Sequence, residues 1–399
     1  IRCIATSSEP VPSSVSGASD LTRVPPFADG SHVTAGSDPV PGPEVETPTE
    51  EMACASGATP RLARHRITLS DGHEVGISVS GRGVPLVVVH GFTAEGLLYA
   101  QTLSRLVSMG FKVIAVDTAG HGATQGLPAR GADLGSYAEL LGRTLRELGV
   151  RRAILAGHSM GGRLVAQLAA TDPELAIAVV LLDAIVGDTW DRLVYLFRVA
   201  PPVLSLVGVA LAVDSVTTLP VLQDPRQARK LGRLVIPALI GHVLRPWRML
   251  GPSISILRSR SSRVHLDALA EAAIPVFAIH GDRDLAVPHR TARDAVRRAD
   301  GNLITVHGAS HSWLLKDPET LPSIVSDLLP AELGFAIRNA LAEAGVDSSE
   351  RVLDDIEAAL YEPDAWIHEL TPALAARGPD DSILTELRRP RYLWSRERV

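Results

Sequence analysis

Three short strings in this chain carry residue types that could do chemistry together. Gly157-His158-Ser159-Met160-Gly161 fits G-x-S-x-G, a serine set between glycines that permit a sharp turn. A serine hydroxyl is a poor nucleophile until a neighbouring base takes its proton. Such a serine needs an acid and then a histidine downstream, each following a later strand. Gly281-Asp282-Arg283-Asp284 and Gly308-Ala309-Ser310-His311 supply them, in the order Ser…Asp…His. Alternatives stay open at two places: Asp282 or Asp183 for the acid, and His307 for the base. The chemistry this set would perform is acyl transfer through a covalent intermediate.

The elements that must position these residues read as apolar runs of strand length at 85–90, 112–117, 152–156, 178–182, 275–280 and 303–307. Helix-length segments at 94–109, 133–148, 160–171, 288–299 and 317–328 separate most of them. Ahead of them, 65–70 and 74–80 alternate around Asp71-Gly72, which reads as a two-residue hairpin turn. Continuous apolar strands with crossover helices between them imply an α/β architecture, a doubly wound and mostly parallel sheet. Ser159 then falls at a strand-to-helix turn on the C-terminal edge of the sheet, where clefts for ligands form. The alternation breaks once, for about ninety residues after Leu182. Helix-like segments there, at 191–198, 203–213, 226–243 and 264–273, read as an inserted helical cap over 185–265. Its run 199–213 contains no charge, so Leu204, Leu206 and Leu211 are candidates for lining an acyl pocket; the plainer alternative is packing within the cap.

Composition narrows the classes. The 399 residues are 46% hydrophobic, ample for a large core, and the length suits one large α/β domain with insertions or two average ones. A net charge of −6 gives no nucleic-acid footprint. Charge is uneven: residues 1–60 hold 2 basic and 8 acidic residues, 331–399 hold 8 and 14, and the body between them holds 29 and 23. Both cysteines, Cys3 and Cys54, lie in the N-terminal tail, which excludes a disulfide scaffold and a cysteine nucleophile in the body. No H-E-x-x-H or paired ligands at helical spacing mark a metal site, and the glycine-rich 117–122 loop lacks the Lys-Ser/Thr of a phosphate cradle. No stretch reaches the roughly 18 apolar residues of a membrane span, and no apolar signal-peptide core stands near the start. The expectation is a cytoplasmic protein with no cofactor, and nothing indicates an oligomeric state. Residues 1–60 hold 9 Pro and 9 Ser with no apolar period and read as disordered, either a genuine acidic tail or sequence upstream of a start at Met52. The organisation expected is therefore tail 1–60, core 61–184, cap 185–265, core 266–330 and a helical acidic extension 331–399, with a helix-start signal at Ser349.

From about Arg64 to Leu329 the chain resembles the α/β-hydrolase fold superfamily, among capped serine esterases and lipases and similar also to haloperoxidase-like and carbon–carbon hydrolase members. The resemblance rests on His90-Gly91-Phe92 after an early strand, Asp117-Thr118-Ala119-Gly120-His121-Gly122, the Ser159 turn, Gly281-Asp282-Arg283-Asp284 followed by Val287-Pro288, and the Gly308–His311 string. It implies Ser159 as nucleophile, Asp284 as acid and His311 as base, with Asp183 at the place where some lipases of this fold carry their acid. It also implies an oxyanion hole from the Phe92 and Met160 amides, with His90 and Gly91 beside the substrate. A serine at 159 argues against the relatives whose nucleophile is a carboxylate. The activity implied is hydrolysis of an apolar carboxylic ester or related acyl compound. Carbon–carbon bond hydrolysis, cofactor-free haloperoxidase or perhydrolase chemistry, and small-ligand reception with residual hydrolysis share the same fold and triad.

Overall fold

The computed structural model describes residues 62–92, 99–127, 133–200, 202–203, 205–206, 208–210, 214, 247–346, 353–371 and 389–398. The tail 1–60, expected to be disordered, lies outside the described residues.

Among the described residues, nine strands form a single sheet: β1 (Ala63–Thr68), β2 (Glu74–Ser80), β3 (Val84–Val89), β4 (Phe111–Val116), β5 (Ala153–His158), β6 (Ala176–Leu182), β7 (Val276–Gly281), β8 (Asn302–Val306) and β9 (Trp394–Arg398). Their order is β1-β2-β4-β3-β5-β6-β7-β8-β9. The pairs from β4 through β8 are parallel, while β1, β2 and β9 join antiparallel. The apolar runs become the central strands because helices cover both faces, and β3, β4, β5, β6 and β7 are buried along their whole length. The chain leaves β3 for β4 on one side and returns to β5 on the other. The C-terminal ends of β3 and β5 therefore sit side by side where the connections diverge, the position that opens a crevice in such sheets.

The first hairpin differs in detail from the expectation. Leu69 and His73 close the turn, with Leu69 N–H donating to His73 O at 2.9 Å, so three residues bridge the strands. Gly72 stands at φ 85, the left-handed position that ends such a three-residue turn.

Two further elements differ from the sequence reading. A helix at Trp247–Arg258 occupies a stretch with no expected element, because Gly251 and Pro252 inside it break the usual signal. The described part of the C-terminal extension holds helices at Glu332–Glu343, Leu353–Leu360 and Trp366–Leu370 and the strand β9. β9 pairs with β8, and Leu393 O accepts the His307 N–H at 2.8 Å at the foot of the loop that carries His311. Among the described residues, no single helix is long and apolar enough to cross a bilayer.

Candidate active site

Ser159 links β5 to the helix Met160–Thr171 with φ 54 and ψ −114, a backbone conformation outside the ordinary regions for a side-chain-bearing residue. Its neighbours explain how the turn survives. A Cβ on Gly157 would stand 2.3 Å from the Gly161 carbonyl carbon, one on Gly161 would stand 2.2 Å from Val89 O, and one on Gly162 would meet the Ala184 side chain at 2.4 Å. Only glycine lets the helix press so closely against β3 and the end of β6. Gly91 passes just as near, since a Cβ there would lie 3.1 Å from the Ser159 Cβ. The loop after β3 and the nucleophile turn are thus in contact.

The acid and base meet directly. His311 Nδ1 and Asp284 Oδ2 are 2.7 Å apart, while Asp284 Oδ1 accepts the Ala286 and Val287 amides at 2.8 Å each. Burial works against charge on Asp284, but His311, helped by His280 and the Val287 amide, holds its carboxyl below the usual range. Burial also disfavours the His311 imidazolium. Asp284, by charge and hydrogen bond, with Asp183 and Asp214 beyond it, outweighs that and lifts its pKa to about 9. His158 joins the base to the nucleophile turn: its Nε2–H donates to the His311 carbonyl at 3.0 Å, and its Nδ1 accepts the Tyr99 hydroxyl at 2.9 Å. Burial, reinforced by the charge of His311, drives the His158 pKa down to about 3, so it stays neutral.

The two alternative carboxylates have other partners. Asp282 accepts the Gly308 N–H at 2.7 Å and lies 3.2 Å from His307 Nδ1, a surface pair outside the site. Asp183 is wholly buried. Its Oδ1 accepts the Gly281 N–H at 2.9 Å and its Oδ2 the Trp313 indole N–H at 2.6 Å. Its carboxyl is raised well above the usual range by burial and by Asp284 beside it.

The remaining expected residues divide. Met160 opens the helix fully buried, so its N–H belongs to the first turn, where helix amides have no intrahelical partner. Phe92 is half-buried, and its carbonyl accepts His121 Nε2–H at 2.7 Å, which fixes the loop that would carry the second oxyanion donor. His90, expected beside the substrate, is corrected to a structural role. Its Nε2 accepts the Thr118 N–H at 2.9 Å, leaving Nδ1–H for the Gly91 carbonyl at 2.7 Å, and the ring is completely buried. Leu206 is 69% exposed. Leu204 and Leu211 lie outside the described residues. A small apolar cavity of about 30 Å³ lies beneath Tyr99 and His158, lined by Leu86, Ile154 and Leu314. Neither Ser159 nor His311 is among its lining residues.

The sequence reading missed three contributors, Tyr99, Trp313 and Asp214. Asp214, the last described residue of the 202–214 stretch, accepts the Ser312 N–H at 2.9 Å, immediately after the base. Nothing local marks any of the three, since each acts through a partner distant in sequence. Asp183, His280 and Asp284 place possible ligand atoms within 4.8 Å of one another. His280 Nε2–H is engaged by the Val287 carbonyl at 2.8 Å, and both carboxylates already accept N–H donors, so this cluster is hydrogen-bonded machinery.

The chain is similar to known proteins in sequence and in fold. The family described as serine aminopeptidase, S33 matches residues 84–319, more than half of the chain. A protein of Mycobacterium phage D29 assigned by description to the non-heme haloperoxidases is 31% identical over 277 residues, covering 67% of this chain and 97% of its own. The non-heme chloroperoxidase of Streptomyces lividans is 27% identical, covering 64% of this chain and 95% of its own. A carboxylesterase structure from Nitrososphaera gargenis shares the fold with a TM-score of 0.52 at 19% identity, over 69% of this chain and all of that one. With the family match spanning the strands and loops that hold Ser159, Asp284 and His311, the chain belongs to the α/β-hydrolase superfamily and is an enzyme of that fold.

Proposed function

We propose that the protein is a serine hydrolase of carboxylic esters, working through an acyl-enzyme. The observation that carries this reading is the buried 2.7 Å His311–Asp284 hydrogen bond, tied through His158 to a serine held at φ 54. Ser159 Oγ attacks the ester carbonyl while His311 Nε2 takes its proton, and Asp284 fixes the imidazole tautomer and stabilises the imidazolium. The Met160 and Phe92 amides receive the oxyanion. His311 returns the proton to the leaving alcohol, and water, activated by the same base, releases the carboxylic acid. The segment 185–265 acts as a cap that selects the acyl group, since it leaves the sheet edge where Ser159 emerges and reaches back to the base through Asp214. Turnover of short p-nitrophenyl esters and labelling by a fluorophosphonate probe test the reading. Both should vanish in Ser159→Ala, and a wild-type protein that resists the probe under conditions that label a control esterase refutes it.

A second reading is favoured by the haloperoxidase descriptions of the two relatives. In it, hydrogen peroxide replaces water at deacylation, so the acyl-enzyme yields a peracid and free Ser159. Peracid formation from acetate and peroxide that is lost in Ser159→Ala, at a rate exceeding ester hydrolysis, would select it.

A further inference from the structure

The triad as read above leaves the buried carboxyl of Asp183 beside it without a role, although both of its oxygens accept hydrogen bonds. We propose that Asp183 is a positioning residue for the acid–base pair. Its carboxylate fastens the start of the acid loop to the residue two past the base, and it sets a second negative charge behind the imidazolium. This rests on the triad reading and adds to it a member that does not touch substrate.

The geometry carries the proposal. Asp183 follows the last residue of β6 at φ 44, in the left-handed region, which aspartate enters more readily than most residues. That turn brings its two oxygens to two different loops. Oδ1 takes the Gly281 N–H, where β7 runs into the acid loop, and Oδ2 takes the Trp313 indole N–H at 2.6 Å. The second contact is short for an N–H donor. Both oxygens accept from N–H groups, the pattern an ionised carboxylate satisfies. Trp313 is itself wholly buried and packs edge-to-face on Tyr392 at 6.4 Å, so the indole is an anchored donor. The Asp284 and His311 loops are thereby joined twice: once by their own hydrogen bond and once through Asp183.

The electrostatic part follows from what surrounds the imidazole. Facing His311 are Asp284 from the acid loop, Asp183 from the end of β6, Asp214 from the cap, His158 from the nucleophile turn and His280 from β7. His158 and His280 are held neutral by burial, with pKa values down to about 3 and about 4. Three carboxyl groups thus surround one titrating imidazole. When His311 is neutral, Asp183 and Asp284 repel each other in a site shielded from water, which is why burial and Asp284 raise the Asp183 carboxyl. When His311 gains a proton, as it does on the way to the tetrahedral intermediate, that repulsion is relieved. Asp183 therefore favours the charged form of the base.

The test uses the full chain carrying Asp183→Asn, Trp313→Phe or Ser159→Ala beside wild type, with competent sites counted by fluorophosphonate titration. An amide at 183 cannot accept from both N–H partners and carries no charge. Its kcat per titrated site should fall by about tenfold or more with KM within a few-fold, because register and not substrate contact is disturbed. The rising limb of kcat/KM against pH should move to lower pH by about one unit, the effect of losing one nearby opposite charge. Trp313→Phe, which removes a donor that favours the charged carboxylate, should move the limb in the same direction by less. A group that only held the fold together would lower thermal stability and leave the limb in place. An unmoved limb in titratable Asp183→Asn overturns the proposal, and if that variant does not fold, an unmoved limb in Trp313→Phe does so. Ser159→Ala separates the two possible failures. If it keeps wild-type turnover, the triad reading falls and the positioning role with it; if it is inactive while the limb stays, only the positioning role falls.

Discussion

Asp284→Asn probes the acid assignment at the level of single hydrogen bonds. In the wild-type protein Oδ1 of Asp284 holds the Ala286 and Val287 amides and Oδ2 holds the His311 Nδ1 proton, at 2.8 Å, 2.8 Å and 2.7 Å. Asparagine keeps the two amides by placing its carbonyl oxygen at the Oδ1 position. Its NH₂ group then faces His311 Nδ1 and can only donate. The imidazole proton moves to Nε2, the atom that must receive the proton of Ser159, and the base is blocked. The corresponding change in a serine protease costs about 10⁴ in kcat, or about 5 kcal/mol of transition-state stabilisation, and the same loss is expected here. Steady-state hydrolysis of a short p-nitrophenyl ester measures it, with fluorophosphonate labelling expected to slow in parallel. Asp282→Asn is the control: its carboxylate serves the Gly308 amide and His307 at the surface, so kcat should stay within a few-fold of wild type. The pair also carries stability that depends on pH. The folded pKa of His311 lies above its ordinary 6.5, so its contribution is complete below about pH 6.5 and is lost as pH rises through about 9. Asp284 is depressed, so its share is present above its ordinary 3.8 and is lost as pH falls through its folded value. Asp284→Asn should flatten the alkaline fall in thermal stability as well as removing activity. A folded Asp284→Asn protein with kcat within tenfold of wild type would sink the assignment.

The base must be neutral to act, so kcat/KM of the wild type should climb with pH along a limb near the His311 pKa of about 9; a profile flat from about pH 7 to 10 would contradict the raised value. Gly161→Ala places a methyl group 2.2 Å from Val89 O and 2.7 Å from His90 O, both backbone atoms, and should cost about 3 kcal/mol in denaturant unfolding together with most of the activity. Wild-type stability in that variant would show that the helix need not press on β3. Deleting the residues before Arg61 should leave activity and melting temperature nearly unchanged, because a Pro/Ser-rich segment without apolar periodicity buries too little surface to order itself. Loss of folding on that truncation would show the tail packing on the body.

The fold was legible because its signals are local. Buried parallel strands such as VPLVVV and AIAVVLL read as apolar runs wherever they occur, and the nucleophile turn needs its glycines within a few residues of Ser159. Elements that depend on distant partners were not legible. The strand Trp394–Arg398 is burdened with charge (Arg396, Glu397, Arg398) and becomes a strand because β8 offers it an open edge. The helix Trp247–Arg258 contains Pro252 and forms against the propensity rules, with tertiary packing deciding against local preference. His90 looked like a cleft residue by its place after β3. Only the fold shows both ring nitrogens already used by Thr118 and Gly91.

The acid shows where the boundary between local and distant signals lies. The family resemblance implied Asp284 over Asp282, and the loop's own amides at 286 and 287 orient that carboxylate from two and three residues away. Weighing Asp284 against Asp183 needed the tertiary structure, since the two donors to Asp183 come from 98 and 130 residues further along the chain. In sequence, Asp183 is an acidic residue at the end of a strand, read as a structural carboxylate with the acid's role as the alternative. Its oxygens turn out to be occupied by Gly281 and Trp313, which leaves Asp284 as the carboxylate hydrogen-bonded to the imidazole. The chemistry of the site is therefore carried by short strings, and its precision by contacts between them that no short string contains.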